Sequence, residues 1–359
     1  MTAGRGWTAW PMASPIAAWV ALGAAWALGT PSWLLPVLGL VLMATVFAAV
    51  HHAERVAHRI GEPFGTLVLA VAVTVIEVAL IVSVMLNGGE AKATLARDTV
   101  FAAVMICCNG IMGLCLLLGG IRHHEQDFHL QGSSAALAVL EALVFLSLIL
   151  PNFAITAPGP YWSPAQLAFA GVASLVLYGA FVFVQTVRHR DYFLAPDPDP
   201  GVHAPPPTAR AALASAGVLV VALVAVVALA KQLSPAIQSL VVGWGAPEAV
   251  VGVVIAVLVL LPEGLAATRA AYGDRIQTSL NLALGSALAS IGLTIPTLSA
   301  LFILLERPLV LGLAPRDMVL LVLTLLVTTI TLGTGRTTVL QGVVHLVILA
   351  AFVFLSIVP

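Results

Sequence analysis

Charge is what this sequence has least of. Of its 359 residues, 15 are Lys or Arg and 16 are Asp or Glu, so only 9% are charged. Soluble domains carry about 25% charged residues. So few charged side chains cannot cover the surface of a soluble fold of this length. That excludes a cytosolic enzyme, a nucleic-acid binder and a disordered chain. Cysteine is also scarce. Cys107, Cys108 and Cys115 all lie in one apolar run, which suits small packing residues better than a disulfide framework. Adjacent cysteines on a helix face different directions, which argues against a two-cysteine metal site. The net charge of −1 points to no particular partner.

What fills the chain is apolar surface. Hydrophobic residues make up 60% of it, and the mean hydropathy is +1.08. This is the composition of an all-α polytopic membrane protein. A span needs about 20 apolar residues. Eleven runs qualify: 13–28, 32–50, 64–86, 99–119, 133–150, 164–187, 210–230, 248–270, 279–303, 317–333 and 338–357. Backbone in lipid must satisfy its own hydrogen bonds, and runs of this length read as helices rather than barrel strands. Several open with a proline or an N-cap type: Pro63, Asp98–Thr99, Ser133, Ser163–Pro164 and Asp317. The first run, preceded by Arg5, is followed at once by Pro31 and a second apolar run. It therefore reads as an extra transmembrane helix rather than a signal peptide.

Lys and Arg in the loops set the orientation. With eleven spans, Arg5, Arg55, Arg59, Arg122, Arg188, Arg190, Arg210, Arg269, Arg275 and Arg336 fall on one side. Lys92, Arg97, Lys231, Arg307 and Arg316 fall on the other. The richer side is expected to be cytoplasmic, with the N-terminus inside and the C-terminus outside. The polar segment 188–209, RHRDYFLAPDPDPGVHAPPPTA, is too rich in Pro and Asp for a regular helix and reads as a cytoplasmic linker. The expected organisation is an extra N-terminal helix (1–31), a first five-helix half (32–187), the linker (188–209) and a second five-helix half (210–359). An odd number of spans per half inserts the second half upside down, the inverted-repeat plan of many secondary transporters.

Acids inside spans are expensive, about 2.5–3.5 kcal/mol each on insertion scales. Three stand there: Glu77, Glu141 and Glu263. Glu77 lies near the middle of the second helix of the first half. Glu263 lies slightly past the middle of the second helix of the second half. The pair therefore occupies equivalent, inverted positions, which points to an ion or proton site more than to two structural hydrogen bonds. Glu141 is nearer a span end, where a third ligand, a structural bond and a vestibule role are equally open. Pro262 cannot donate to the carbonyl of Leu258, and Gly264 follows, so a freed oxygen stands near Glu263. On the next helix Ser286, Ser290 and Thr294 are four apart and share a face, with Asn281 further out. Such a stripe suits cation lining or close helix packing. Asn109 is a buried amide in the corresponding helix of the first half, where an ion path or another helix can satisfy it. Thr74 lies one turn before Glu77. Carboxylate, amide, hydroxyl and backbone carbonyl suit hard cations and protons rather than copper or zinc.

The stretches EPFGTLVLAVAVTVIEVALI, FAAVMICCNGIMGLCLLLGG, LPEGLAATRAAYGD and LNLALGSALASIGLTIP resemble the cation/calcium exchanger superfamily. Within it they look most like the bacterial calcium/proton and sodium–potassium/proton antiporter branch. The resemblance implies that Glu77 and Glu263 bind the cation in one half of the cycle and protons in the other. It also implies that Asn109 and Ser286 are neighbouring ligands. One departure matters. Many calcium exchangers carry Gly-Asn-Ala-x-Glu around each acid, whereas these windows read VTVIE and VLLPE. Thr74 and Leu260 replace two asparagines. Ca²⁺ takes six to eight oxygens, so the loss leaves room for Na⁺ or K⁺.

The expected function is a secondary antiporter, not an enzyme, exchanging Ca²⁺, Na⁺ or K⁺ for protons across the cytoplasmic membrane, with no cofactor. Its partners are inorganic cations, protons and the bilayer. A monovalent Na⁺/K⁺ antiporter with little Ca²⁺ activity is the alternative. Eight histidines fall on the cytoplasmic side: His51, His52, His58, His123, His124, His129, His189 and His203. They read as solvated interface residues or as a pH sensor. Only His345 sits in a span. Asp191, Asp197 and Asp199 match no EF-hand loop, which weakens them as a calcium regulator. An intramembrane His-metal enzyme would need His51, His52 and His58 with His123, His124 and His129, yet neither H-x-x-x-H nor H-E-x-x-H occurs.

Overall fold

In the computed structural model, residues 10–61, 64–88, 93–157, 159–194, 207–243, 245, 247 and 249–358 are described. Arg5, Pro63, Lys92, Asp197, Asp199 and His203 lie outside them, as does the part of the linker at 195–206. The chain is all-α. Its helices are α1 (Trp10–Leu28), α2 (Leu35–Ile60), α3 (Phe64–Gly88), α4 (Leu95–Met105), α5 (Met112–His123), α6 (Leu130–Val144), α7 (Pro164–Phe183), α8 (Ala209–Gly243), α9 (Ala249–Tyr272), α10 (Ile276–Leu304), α11 (Pro315–Leu332) and α12 (Val339–Ile357). A π-helical turn, Ile106–Ile111, joins α4 to α5, so these twelve form eleven helices long and apolar enough to cross a membrane. Two-residue strands β1 (Gln126–Asp127) and β2 (Arg336–Thr337) pair antiparallel.

The helices belong to two compact units. One draws on residues 1–89 and 203–245, the other on 90–202 and 246–359. The first holds α1, α2, α3 and α8. The second holds the rest. Each unit thus takes helices from both sides of the linker. Within the second, the span Leu95–His123 and α10 have 78% and 67% of their apolar windows buried, against 28–50% for the other spans. These two are its centre. The remaining spans keep an apolar face such as Phe169, Val172 and Val176 on α7 outward, as a lipid-facing helix does.

Several helix ends differ from the sequence expectation. Among the described residues, only Ser163–Pro164 behaves as read: Ser163 caps α7 in a reciprocal capping box with Gln166, and Pro164 follows at the first helical position. Asp98 is not a cap. α4 begins at Leu95 after Thr94, and the Asp98 carboxylate accepts from Arg97 Nε at 2.8 Å and from Thr94 Oγ1 at 2.9 Å. Arg97, expected in a loop, is held there by a further bond to the Gly312 carbonyl at 3.1 Å. Ser133 lies inside α6, which opens after His129 because the side chain of Gln277 accepts the His129 amide at 2.7 Å. Asp317 lies in the first turn of α11 rather than before it, paired to Arg316 at 3.0 Å. There its charge complements the helix N-terminus.

α2 and α8 run on beyond their apolar runs, to Ile60 and Gly243. Arg55, His58, Arg59, Arg210 and Lys231 are therefore helical, not in loops. α2 stops where Gly61 adopts φ +76°, a conformation glycine takes at little cost. His51 and His52 also lie within α2, and His52 is 1% exposed. Pro15 stands inside α1 and cannot donate to the carbonyl of Pro11. The Nε2 of His52, 3.2 Å away, supplies the missing donor. The histidine read as an interface residue is instead a clasp between α1 and α2. All three cysteines are buried.

Candidate functional site

Glu77 belongs to the first unit. It stands near the middle of the 25-residue α3 and is 2% exposed. Thr74, one turn earlier on the same face, is buried and donates its hydroxyl to the Ala70 carbonyl at 2.8 Å. That bond satisfies the proton of Thr74 and leaves lone pairs on its oxygen. α3 packs against α2 and α8. A carboxylate this buried requires a counter-charge, a proton or strong hydrogen bonds.

Glu263 belongs to the second unit. It lies past the middle of the 24-residue α9 and is 9% exposed. Pro262 sits inside α9 without ending it, so the Leu258 carbonyl has no i+4 donor. Gly264 lies against Ile111 of the π-turn. A Cβ there would stand 3.3 Å from Ile111 Cγ1. That close approach brings Glu263 and Asn109 to elements in direct contact. α9, α10 and the π-turn all pack on one another. Glu263, Asn109 and the α10 hydroxyls therefore stand on three mutually packed elements. Of those hydroxyls, Ser290 and Thr294 are buried and Ser286 is half-buried. Asn281 is drawn elsewhere, bonded to Gln277 and to the Phe193 carbonyl.

Asn109 is fully buried in the π-turn. A π-turn widens the helix and is frequent at functional sites. Its Nδ2 donates to Thr324 Oγ1 on α11 at 2.9 Å, and its Oδ1 lies 3.0 Å from His345 Nδ1 on α12. His345 Nε2 lies 3.1 Å from Thr331 Oγ1. His345, Thr324 and Thr331 were not among the candidate residues. The signal for them was there, since His345 is the one histidine within a predicted span. Glu141, on α6, is half-buried and accepts the Thr329 hydroxyl of α11 at 2.8 Å. That bond ties two helices together.

Among the described residues, no group of three or more His, Cys, Asp or Glu is placed to hold a metal ion. The side chains around Glu77 and Glu263 offer oxygen donors, which suit a hard cation or a proton.

The chain belongs to the sodium/calcium exchanger protein family, whose profile matches residues 31–187 and 214–358. It is a multi-pass membrane exchanger of the cation/calcium exchanger superfamily, a transporter and not an enzyme. It is 52% identical, over 91% of its length and 96% of the relative's, to y4hA of Sinorhizobium fredii, provisionally named an ionic transporter. It is 35% identical, over 89% of its length and 87% of the relative's, to the sodium-potassium/proton antiporter ChaA of Escherichia coli. In fold it resembles the solved structure of native YfkE, with a TM-score of 0.73, 18% identity, and coverage of 97% of this chain and 100% of that one.

Proposed function

We propose that this protein is a secondary active antiporter that exchanges Ca²⁺, Na⁺ or K⁺ for protons by alternating access. The cation and the protons compete for Glu77 and Glu263. The observation that carries this reading is the pair of buried acids, 2% and 9% exposed, each near the middle of a long apolar helix. An ionised carboxylate costs several kcal/mol to hold away from water. Protonation removes that charge, and so does a bound cation. Either neutralised form can pass the barrier between inward and outward access, whereas the bare dianion cannot. This obligate neutralisation couples the two fluxes. If only these two acids titrate, one Ca²⁺ exchanges for two H⁺. Asn109, Ser286, Thr74 and Ser290 supply neutral oxygens to the path, and Glu141 is a third acid at its margin.

A monovalent reading has its own support. VTVIE and VLLPE lack the paired asparagines of many calcium exchangers, and the 35% identical relative is named for sodium, potassium and protons. The Lys and Arg in the loops and toward the helix ends support a cytoplasmic N-terminus and an external C-terminus in a bacterial inner membrane.

The test uses everted vesicles with an imposed proton gradient and a pH-sensitive dye. Ca²⁺, Na⁺ and K⁺ are added separately. Dissipation of the gradient by at least one of them is expected, and the ranking decides between the two readings. No cation-dependent proton movement under any condition overturns antiport.

A further inference from the structure

The four hydrogen bonds around Asn109 have one consistent direction. Met105 Sδ lies 3.9 Å from Asn109 Nδ2 and 3.3 Å from Thr324 Oγ1. A thioether only accepts. The amide nitrogen therefore belongs on the Met105 side, and the amide oxygen faces His345. Oδ1 only accepts, so His345 must carry its proton on Nδ1. Nε2 is then the acceptor, and Thr331 must donate to it. The order is Thr331 O–H to His345, His345 Nδ1–H to Asn109 Oδ1, Asn109 Nδ2–H to Thr324, and Thr324 O–H to Met105. Every member is at most 3% exposed. The chain ties α11 and α12 to the π-turn.

Gly113, one turn after Asn109, makes the contact possible. A Cβ there would lie 2.9 Å from His345 Cβ. α12 comes close enough for the imidazole to reach Asn109 only because that position is bare.

An amide oxygen has two lone pairs. His345 takes one, and the second is left for a cation. We propose that His345 is a positioning residue for cation binding, which holds the Asn109 amide oxygen in its ligating orientation without touching the ion. This rests on the reading of Asn109 as a cation ligand. The imidazole acts as a neutral donor of fixed tautomer. Without it only the nitrogen side of the amide is held, by Thr324, and the oxygen is presented to the ion less firmly. Affinity falls, while the turnover set by the two glutamates stays.

The test is initial-rate proton flux in proteoliposomes of the full-length protein, titrated with whichever of Ca²⁺, Na⁺ and K⁺ the wild type exchanges. His345→Leu is expected to raise the cation KM about tenfold, the worth of one buried hydrogen bond, with kcat close to wild type. His345→Asn keeps a donor where Nδ1 stood and should restore KM to within about threefold. Asn109→Ala should match His345→Leu, and the double variant should be no worse than Asn109→Ala alone, because residues acting through one contact do not add. Three results overturn the proposal: an unchanged KM in His345→Leu, an equal defect in His345→Asn, or multiplying effects in the double variant. If His345→Leu does not accumulate, Thr331→Val reads the same quantity. It removes the donor that fixes the tautomer, and a KM raised about threefold is expected; an unchanged KM overturns the proposal. Glu77→Gln and Glu263→Gln run alongside. If they still exchange, the two-acid site fails. If they are dead and the KM of His345→Leu is unmoved, the positioning role alone fails.

Discussion

The helices α3 and α9 carry the same acid in different company. Around Glu77 there is no proline and no glycine within three residues, and the nearest polar side chain on its own face is Thr74, whose hydroxyl is committed to the Ala70 carbonyl. Glu263 stands between Pro262 and Gly264, on a helix that has lost one backbone donor and presses against the π-turn. α3 packs against α2 and α8 of its unit, α9 against α4, α5, α10, α12 and the π-turn of the other. Burial is nevertheless alike. The acid is therefore the invariant of the two sites, and the oxygens around it are the variable. Beside Glu77 stands a hydroxyl; near Glu263 stand a freed carbonyl and, on a packed neighbouring element, an amide. An ion needs oxygens at the right radius, not a particular residue type, so two unlike frames can serve one cargo.

The strongest way to break this comparison is to remove each acid. Glu77→Gln and Glu263→Gln keep shape and hydrogen bonding but cannot hold a charge. Each is expected to lower cation-driven proton flux at least about a hundredfold, since a missing charge cannot be replaced inside an apolar span. A defect confined to one of them would mean that the two positions are not equivalent in the cycle. Pro262→Ala comes next. It returns a backbone donor to the Leu258 carbonyl and should raise the cation KM about fivefold to tenfold if that oxygen serves the ion; a KM equal to wild type assigns the proline to packing. Thr74→Val removes the hydroxyl on the other side, with an expected rise of about threefold. Larger damage from Thr74→Val than from Pro262→Ala would reverse the ranking of the two frames. Glu141→Gln should be the mildest. Its amide oxygen still accepts from Thr329, so flux is expected within about twofold of wild type, with helix packing preserved. A loss comparable to that of Glu77→Gln would make Glu141 a third transport acid and change the proton count.

The spans were legible because lipid leaves the backbone only one economical solution, and an apolar run of twenty residues announces it. Their ends were less so. Hydropathy falls at His51 and at Lys231, but backbone bonding does not, and both helices continue. Caps failed where other contacts took the group: the distant Gln277 satisfies the amide of His129, and the neighbouring Arg97 takes the carboxylate of Asp98. Glu77 and Glu263 were readable because acids are rare in such runs. Asn109 was readable as a buried amide, but its partners were not, since Thr324 and His345 stand more than 200 residues away in the chain. His52 was misread because the need it meets is created by Pro15 on another helix.

The central claim is that one pair of carboxylates serves both cation and proton. The measurement that addresses it most directly is the cation KM in proteoliposomes as a function of pH, for the wild type and for Glu77→Gln and Glu263→Gln. Any residual exchange in the single variants is followed by tracer uptake. Shared carboxylates predict that, on the acid side of their titration, KM rises about tenfold for each unit by which pH is lowered, per proton displaced, and that either variant loses one proton's worth of that slope. A KM that does not move with pH in the wild type, or a slope that survives both substitutions intact, contradicts it.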